Sequence, residues 1–220
     1  MNTTTVKEVV IPFSDVMLRG MFGVPTEAAG IVVFAHGSGS SRLSRRNNYV
    51  ADIIRQRGMG TLLFDLLTEE EDMVYDNRFD IPLLTDRLVY VTQWLKDQPD
   101  YASKNIGYFG ASTGAAAALK AAARLGDNIS AVVSRGGRPD MAGVDELAKV
   151  QAPTLLIVGG HDDVVIELNK RAYTAMVCTK KMKIVPGATH LFEEPGTLEQ
   201  VAELAADWFH QYLVDRTEID

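Results

Sequence analysis

The apolar positions of this chain change their period as they are followed from the N-terminus. Over residues 6–24 they alternate with polar positions, interrupted only near Ser14-Asp15. A period of two sends successive side chains to opposite faces of a strand, so the segment predicts a hairpin whose strand ends are marked by Pro12 and Pro25. The pattern then switches to short unbroken apolar runs, Ile31-Val32-Val33-Phe34-Ala35 and Thr61-Leu62-Leu63-Phe64. Runs of this kind belong to strands covered on both faces, as in a parallel sheet. Between them, helical spacing over residues 45–57 is closed by Gly58 and Gly60. The same beat continues with a helix at 81–94, a strand at 106–109, an alanine-rich helix at 115–125 and strands at 130–133, 154–158 and 183–185. A further helix is predicted at 165–177. The last one takes Thr197 as its N-cap, with Gln200 at capping-box spacing, and buries Leu198, Val201, Leu204, Ala205, Trp208 and Tyr212. Residues 65–76, with Glu69-Glu70-Glu71-Asp72 at their centre, read as an exposed acidic loop.

Two antiparallel strands followed by six strands that alternate with helices predict the α/β class: one mostly parallel eight-stranded sheet covered by helices on both faces. A chain of 220 residues with 46% hydrophobic content supplies one sizeable core. Residues 1–220 therefore read as a single domain, without repeats, linkers or an insertion long enough for a cap domain.

Charge narrows the partners. A net charge of −7 and a pI near 5.1 disfavour nucleic acid and anionic membrane surfaces, which reward clustered Lys and Arg. The start, Met1-Asn2-Thr3-Thr4-Thr5, lacks the features of a signal peptide, and no apolar run approaches the roughly 20 residues that span a bilayer. Cys178 is the only cysteine, as expected of a reducing compartment. The expectation is a cytoplasmic protein with a small-molecule partner; its oligomeric state is left open between monomer and homodimer.

The chemistry converges on Gly110-Ala111-Ser112-Thr113-Gly114, a serine between glycines where a strand gives way to a helix. That is the pattern of a nucleophile elbow, a turn so tight that side chains at its flanks would collide with their neighbours. A serine hydroxyl needs a base to take its proton and a carboxylate to hold that base. Functional groups in such sheets gather on loops at the carboxyl ends of strands. Here those loops are 36–42, 110–114, 134–140, 159–164 and 186–194. Of the four histidines, His210 falls on the terminal helix, His36 closes the first central strand, and His161 abuts Asp162. His190, delivered by the last of these loops, is the best base. Asp162 and Asp163 are the candidate acids, and the order Ser112, Asp162, His190 is that of α/β-hydrolases. His36, His161 and His190 lie on separate loops without ligand spacing, so neither a metal nor any other cofactor is expected.

The segments FAHGSGSSR, GYFGASTGAAAAL, VVSRGGRPD, PTLLIVGGHDDVV and VPGATHLFEEPG resemble those of the α/β-hydrolases, and more narrowly the small, cap-less dienelactone-hydrolase-like group, throughout residues 31–196. The resemblance implies the α/β-hydrolase fold, with Ser112 as nucleophile, Asp162 as triad acid, Asp163 as its alternative, and His190 as base. Dienelactone hydrolases proper carry cysteine at the elbow. The serine here implies instead a carboxylesterase-like enzyme acting on small or short-chain esters, with thioesterase, lactonase, perhydrolase or a non-catalytic ligand-binding protein as alternatives. Oxyanion donors are expected at the backbone N–H of Thr113 and of Ser38, with Gly39 as the alternative to Ser38. Arg135 and Arg138, in Ser134-Arg135-Gly136-Gly137-Arg138-Pro139-Asp140, suggest either a clamp for an anionic substrate or internal pairing with Asp140 or with the acidic loop at 69–72. Arg42, Arg45 and Arg46 are equally ambiguous.

Overall fold

The computed structural model describes residues 4–214, so the reading of the Met1-Asn2-Thr3 start lies outside the described residues. The N-terminal alternation folds as a hairpin, β1 (Val6–Phe13) pairing antiparallel with β2 (Val16–Gly23). The chain continues through β3 (Gly30–Ala35), α1 (Arg45–Gln56) and β4 (Gly60–Phe64) to a short α2 (Glu69–Asp72), then α3 (Ile81–Lys96) and β5 (Asn105–Ala111). After these come α4 (Thr113–Leu125), β6 (Ala131–Arg135), a short α5 (Val144–Leu147), β7 (Thr154–Gly159), α6 (Asp163–Ala175), β8 (Lys180–Val185) and α7 (Thr197–Leu213). One eight-stranded sheet results, in the order β1-β2-β4-β3-β5-β6-β7-β8. The pairings from β4 to β8 are all parallel, while β2 meets both its neighbours antiparallel.

The unbroken apolar runs are explained by two separate cores. On one face Ile31, Val33, Leu62 and Tyr108 pack against Leu84, Leu88 and Leu95 of α3 and the alanines of α4. On the other, Val32, Phe34, Phe109 and Ile157 pack against Val50 and Ile54 of α1 and Val201, Ala205, Trp208 and Phe209 of α7. A strand residue has apolar neighbours whichever way it points, so alternation disappears.

Three readings are corrected. Residues 69–72 form a helical turn rather than an irregular loop: Thr68 Oγ1 accepts from the Glu71 N–H, and the Glu71 carboxylate accepts from the Thr68 N–H. Glu71 also pairs with the buried Arg87, which donates to the Leu66 carbonyl as well, and that hydrogen bonding holds the Glu71 carboxyl below its usual range. The N-cap of α7 is Gly196, at φ 80°, and the Thr197 hydroxyl donates to the Glu194 carbonyl. Strand β8 begins at Lys180, earlier than residue 183; as an edge strand it has one exposed side, so its first half alternates instead of showing an apolar run.

Helix α4 lies unusually close to the sheet. A Cβ at Gly110 would stand 2.5 Å from Ala115 Cα, and one at Gly114 would stand 2.1 Å from the Ala35 carbonyl oxygen. Ala115, Ala116, Ala117 and Ala118 are fully buried along the contact. The loop after β3 is tied across the sheet by the buried His36: Nδ1 donates to the Gly37 carbonyl, and Nε2 accepts from the Leu66 N–H at 2.9 Å. Both ring nitrogens are thus used by the neutral imidazole, and burial holds its pKa below 6.5.

Two predictions follow from these contacts. Gly114→Ala forces backbone apart and is expected to destabilise by at least about 3 kcal/mol in urea denaturation. Gly58→Ala, at φ 80° with nothing within 4 Å of its Cβ, carries only backbone strain of about 1 kcal/mol. For His36 the unfolded chain binds the extra proton first, so its contribution is intact above 6.5 and falls as the pH drops below that value. Denaturation midpoints should fall between pH 7.5 and pH 5.5, and fall by less in His36→Gln.

Candidate active site

The elbow is built by strain held from several sides. Ser112 sits at φ 49°, ψ −120°, a conformation that costs a non-glycine residue about 1–3 kcal/mol. Its N–H donates to the Arg135 carbonyl at 3.2 Å, and its carbonyl accepts from the N–H groups of Ala115 at 3.1 Å and Arg138 at 3.0 Å. The backbone of loop 135–138 therefore pins the serine, a role for those residues that sequence reasoning did not find.

The loops after β7 and β8 are joined to each other. Gly160 N–H donates to the Val185 carbonyl, and His161 N–H to the Ala188 carbonyl at 2.9 Å. The Glu194 carboxylate accepts from both the N–H and the hydroxyl of Thr189, hydrogen bonding that lowers its pKa and ties off the turn bearing His190. Within this frame His190 Nδ1 lies 2.6 Å from Asp162 Oδ2. Asp162 occupies the N-cap of α6 yet makes no side-chain cap bond; its carboxylate is turned to the imidazole instead. Asp163 is the first residue of α6 and does not reach it. Gly136, at φ 51°, leaves room for the ring, since a Cβ there would stand 3.5 Å from His190 Nδ1 and 3.2 Å from the His190 carbonyl oxygen.

Ser112 and His190 line one cavity of about 190 Å³ with Gly37, Ser38, Ser40, Ser44, Arg46, Ala111, Arg135 and Leu191. Among the described residues no hydrogen bond joins the serine to the imidazole. Thr113 opens α4, and its Oγ1 accepts from the Ser38 N–H at 2.9 Å. Both expected oxyanion residues thus flank Ser112, with the Ser38 N–H held by the threonine hydroxyl.

The two arginines of loop 134–140 part company. Arg138 points both Nε and Nη2 at the Asp140 carboxylate, at 2.9 and 2.8 Å, and does not line the cavity. Arg135 lines it and is 7% exposed, with Nη2 at 3.3 Å from Asn47 Oδ1 and its guanidinium 5.9 Å from the centre of the Phe192 ring. Burial, and secondarily the nearby charge of Arg46, push its pKa down to about 10. Asn47 and Phe192 were not legible as site residues, because each reads as part of an ordinary helix or turn. His161 and His210 stand outside the cavity. Among the described residues no cluster of three or more His, Cys, Asp or Glu has metal-binding geometry, and no helix is long and apolar enough to cross a membrane.

The fold recurs in known proteins. A crystal structure of dienelactone hydrolase from Anabaena variabilis ATCC 29413 is 51% identical and superposes with a TM-score of 0.92 over 96% of this chain and 99% of that one. Est1E from Butyrivibrio proteoclasticus shares the fold at 17% identity, with a TM-score of 0.80 over 93% of this chain and 98% of its own. The putative phosphoribosyl transferase Rv0571c of Mycobacterium tuberculosis is 60% identical over 207 residues, 94% of this chain but 46% of that protein. The chain thus spans about half the length of that curated relative. The model of the dienelactone hydrolase family matches residues 18–213. With its eight-stranded α/β-hydrolase fold, the chain belongs to the dienelactone hydrolase family.

Proposed function

We propose that this chain is a serine hydrolase of the carboxylesterase kind, in which Ser112 is the nucleophile, His190 the base and Asp162 the acid that orients it. The observation that carries the reading is the strained elbow serine opening onto the same cavity as an imidazole held at 2.6 Å by a carboxylate. With Nδ1–H donated to Asp162, the His190 tautomer presents a bare Nε2, the form that accepts a proton. Asp162 also stabilises the imidazolium that results.

In the reaction Ser112 Oγ attacks the ester carbonyl while His190 takes its proton. The oxyanion is received by the N–H groups of Thr113 and Ser38 as the Thr113 hydroxyl releases the latter. His190 then hands its proton to the departing alcohol, and water, activated by the same imidazole, frees the acyl group from Ser112. The serine–histidine contact closes with substrate in place, as catalytic hydrogen bonds do. Size supports small esters: the cavity holds about 190 Å³, and the space beyond Thr113, lined by His36, Leu66, Leu67 and Leu84, only about 10 Å³. Short acyl groups fit; long lipid chains do not.

Steady-state turnover of p-nitrophenyl acetate tests the reading. Ser112→Ala should lose roughly 10⁴-fold or more in kcat, and Asp162→Asn roughly 10³- to 10⁴-fold with the fold intact. Asp163→Asn should stay within a few-fold of wild type. A Ser112→Ala protein that keeps most of its turnover overturns the assignment.

A further inference from the structure

Arg135 is a charge without a counter-charge. Its guanidinium is buried, its Nε has no hydrogen-bond partner, and its one side-chain bond is to the neutral amide of Asn47 at 3.3 Å. Arg42 and Arg87 also leave Nε bare, but Asp65 and Glu71 neutralise them. No carboxylate among the described residues does so for Arg135. Buried polar atoms are nearly always bonded, and an unpaired buried cation is costly, so an orphan of this kind calls for an explanation.

The surroundings supply one. The cavity that Arg135 lines also contains Arg46, whose Nε is likewise buried and unpartnered and whose one carboxylate partner is the exposed Glu193 at 2.9 Å. Ser44, the N-cap of α1, lies on the same wall. Its hydroxyl takes the Asn47 N–H and its carbonyl the Asn48 N–H, so the N–H groups of Arg45 and Arg46 are the ones left at the positive end of this 12-residue helix. Ser38 and Ser40 of the adjoining loop line the cavity as well. Two guanidiniums and a helix N-cap lining one cavity with a serine-rich rim suit a tetrahedral group with three outward oxygens and more than one negative charge.

Resting on the serine-hydrolase reading above, we infer that the cavity beside Ser112 holds a phosphoryl group of the substrate, gripped by Arg135 and Arg46 at the N-terminus of α1, so that the enzyme cleaves small esters carrying a phosphate on the same molecule. The phosphate is bound and not transferred; the bond broken is the carboxylic ester. Arg135 thereby sets substrate class, and Arg138, spent on Asp140, does not.

Three acetate esters of matched length separate the options: 2-acetoxyethyl phosphate, 3-acetoxypropionate and neutral 2-methoxyethyl acetate. The phosphate ester should have the highest kcat/KM, roughly 10- to 100-fold above the neutral one, the difference that one or two charge-assisted hydrogen bonds make. Arg135→Met should remove most of that ratio, Arg46→Ala part of it, and Arg138→Ala none. Equal rates for the phosphate and neutral esters, a preference for the carboxylate ester, or a ratio unchanged in Arg135→Met would each overturn the inference. A second readout does not depend on turnover: inorganic phosphate should raise the unfolding temperature of wild type and of Arg138→Ala, less that of Arg46→Ala, and not that of Arg135→Met. Loss of p-nitrophenyl acetate turnover with this phosphate effect intact would sink the hydrolase reading and leave the phosphate site standing. Full turnover of p-nitrophenyl acetate without any phosphate effect would do the reverse.

Discussion

The close approach of α4 to β3 and β5 is the constraint from which the rest of the molecule follows. At its N-terminus the helix backbone sits so near the Ala35 carbonyl that position 114 has no room for a methyl group, and position 110 has none against Ala115. The chain turns from strand to helix within one residue, and that residue, Ser112, takes a left-handed conformation that side chains avoid. Such strain persists only where the surroundings over-determine it. Here the Arg135 carbonyl, the Arg138 N–H and the first turn of α4 all bond the Ser112 backbone. The run of buried alanines that follows is the same constraint continued, because larger side chains would lift the helix off the sheet.

The remaining site residues depend on that placement at one remove. Strands β5, β6 and β7 are hydrogen-bonded neighbours, and β8 closes the sheet edge next to β7, so their carboxyl ends deliver the elbow, the arginine loop, Asp162 and His190 side by side. Asp162 shows how local preference is overridden. At the N-cap of α6 an aspartate ordinarily bonds the helix's free N–H groups. This one leaves them and takes the imidazole, which is worth more where the carboxylate is 15% exposed and the partner can carry charge. Loss of a cap, about 1 kcal/mol by itself, is a modest cost for holding the His190 imidazole in one tautomer.

Much of this was legible in the sequence, for reasons that differ from element to element. Buried parallel strands declare themselves as apolar runs, and the elbow declares itself because only glycine fits at 110 and 114. Asp162 and Asp163 both follow Gly159-Gly160, so the residues alone do not say which carboxylate meets His190; Asp162 does so through tertiary packing. Glu69 and Glu70 are the solvent-exposed charge the sequence suggests, whereas Glu71 is not, because its counter-ion, Arg87, lies on α3 and is invisible to any local window. The start of β8 was missed because an edge strand obeys a different pattern from a central one. Thr197 reads as a cap because its spacing to Gln200 fits, but Gly196, at positive φ, holds the N-cap position.

The arginines at 135 and 138 show most plainly what spacing cannot express. They are the same residue type, three positions apart, in one short loop, and by composition either could serve a substrate. What separates them is where each lies along the chain. Arg135 is the last residue of β6, so its neighbours are the sheet, α1 and Phe192, and it is buried in the cavity wall. Arg138 stands after two glycines, outside the sheet, with Asp140 two residues on to bond it. The fold thus neutralises the exposed charge, where pairing is worth little, and leaves unpaired the buried one, where it is worth most. Folding alone would favour the opposite distribution. The inversion sits beside the strained serine, and a ligand carrying the missing negative charge, as inferred above, would resolve it.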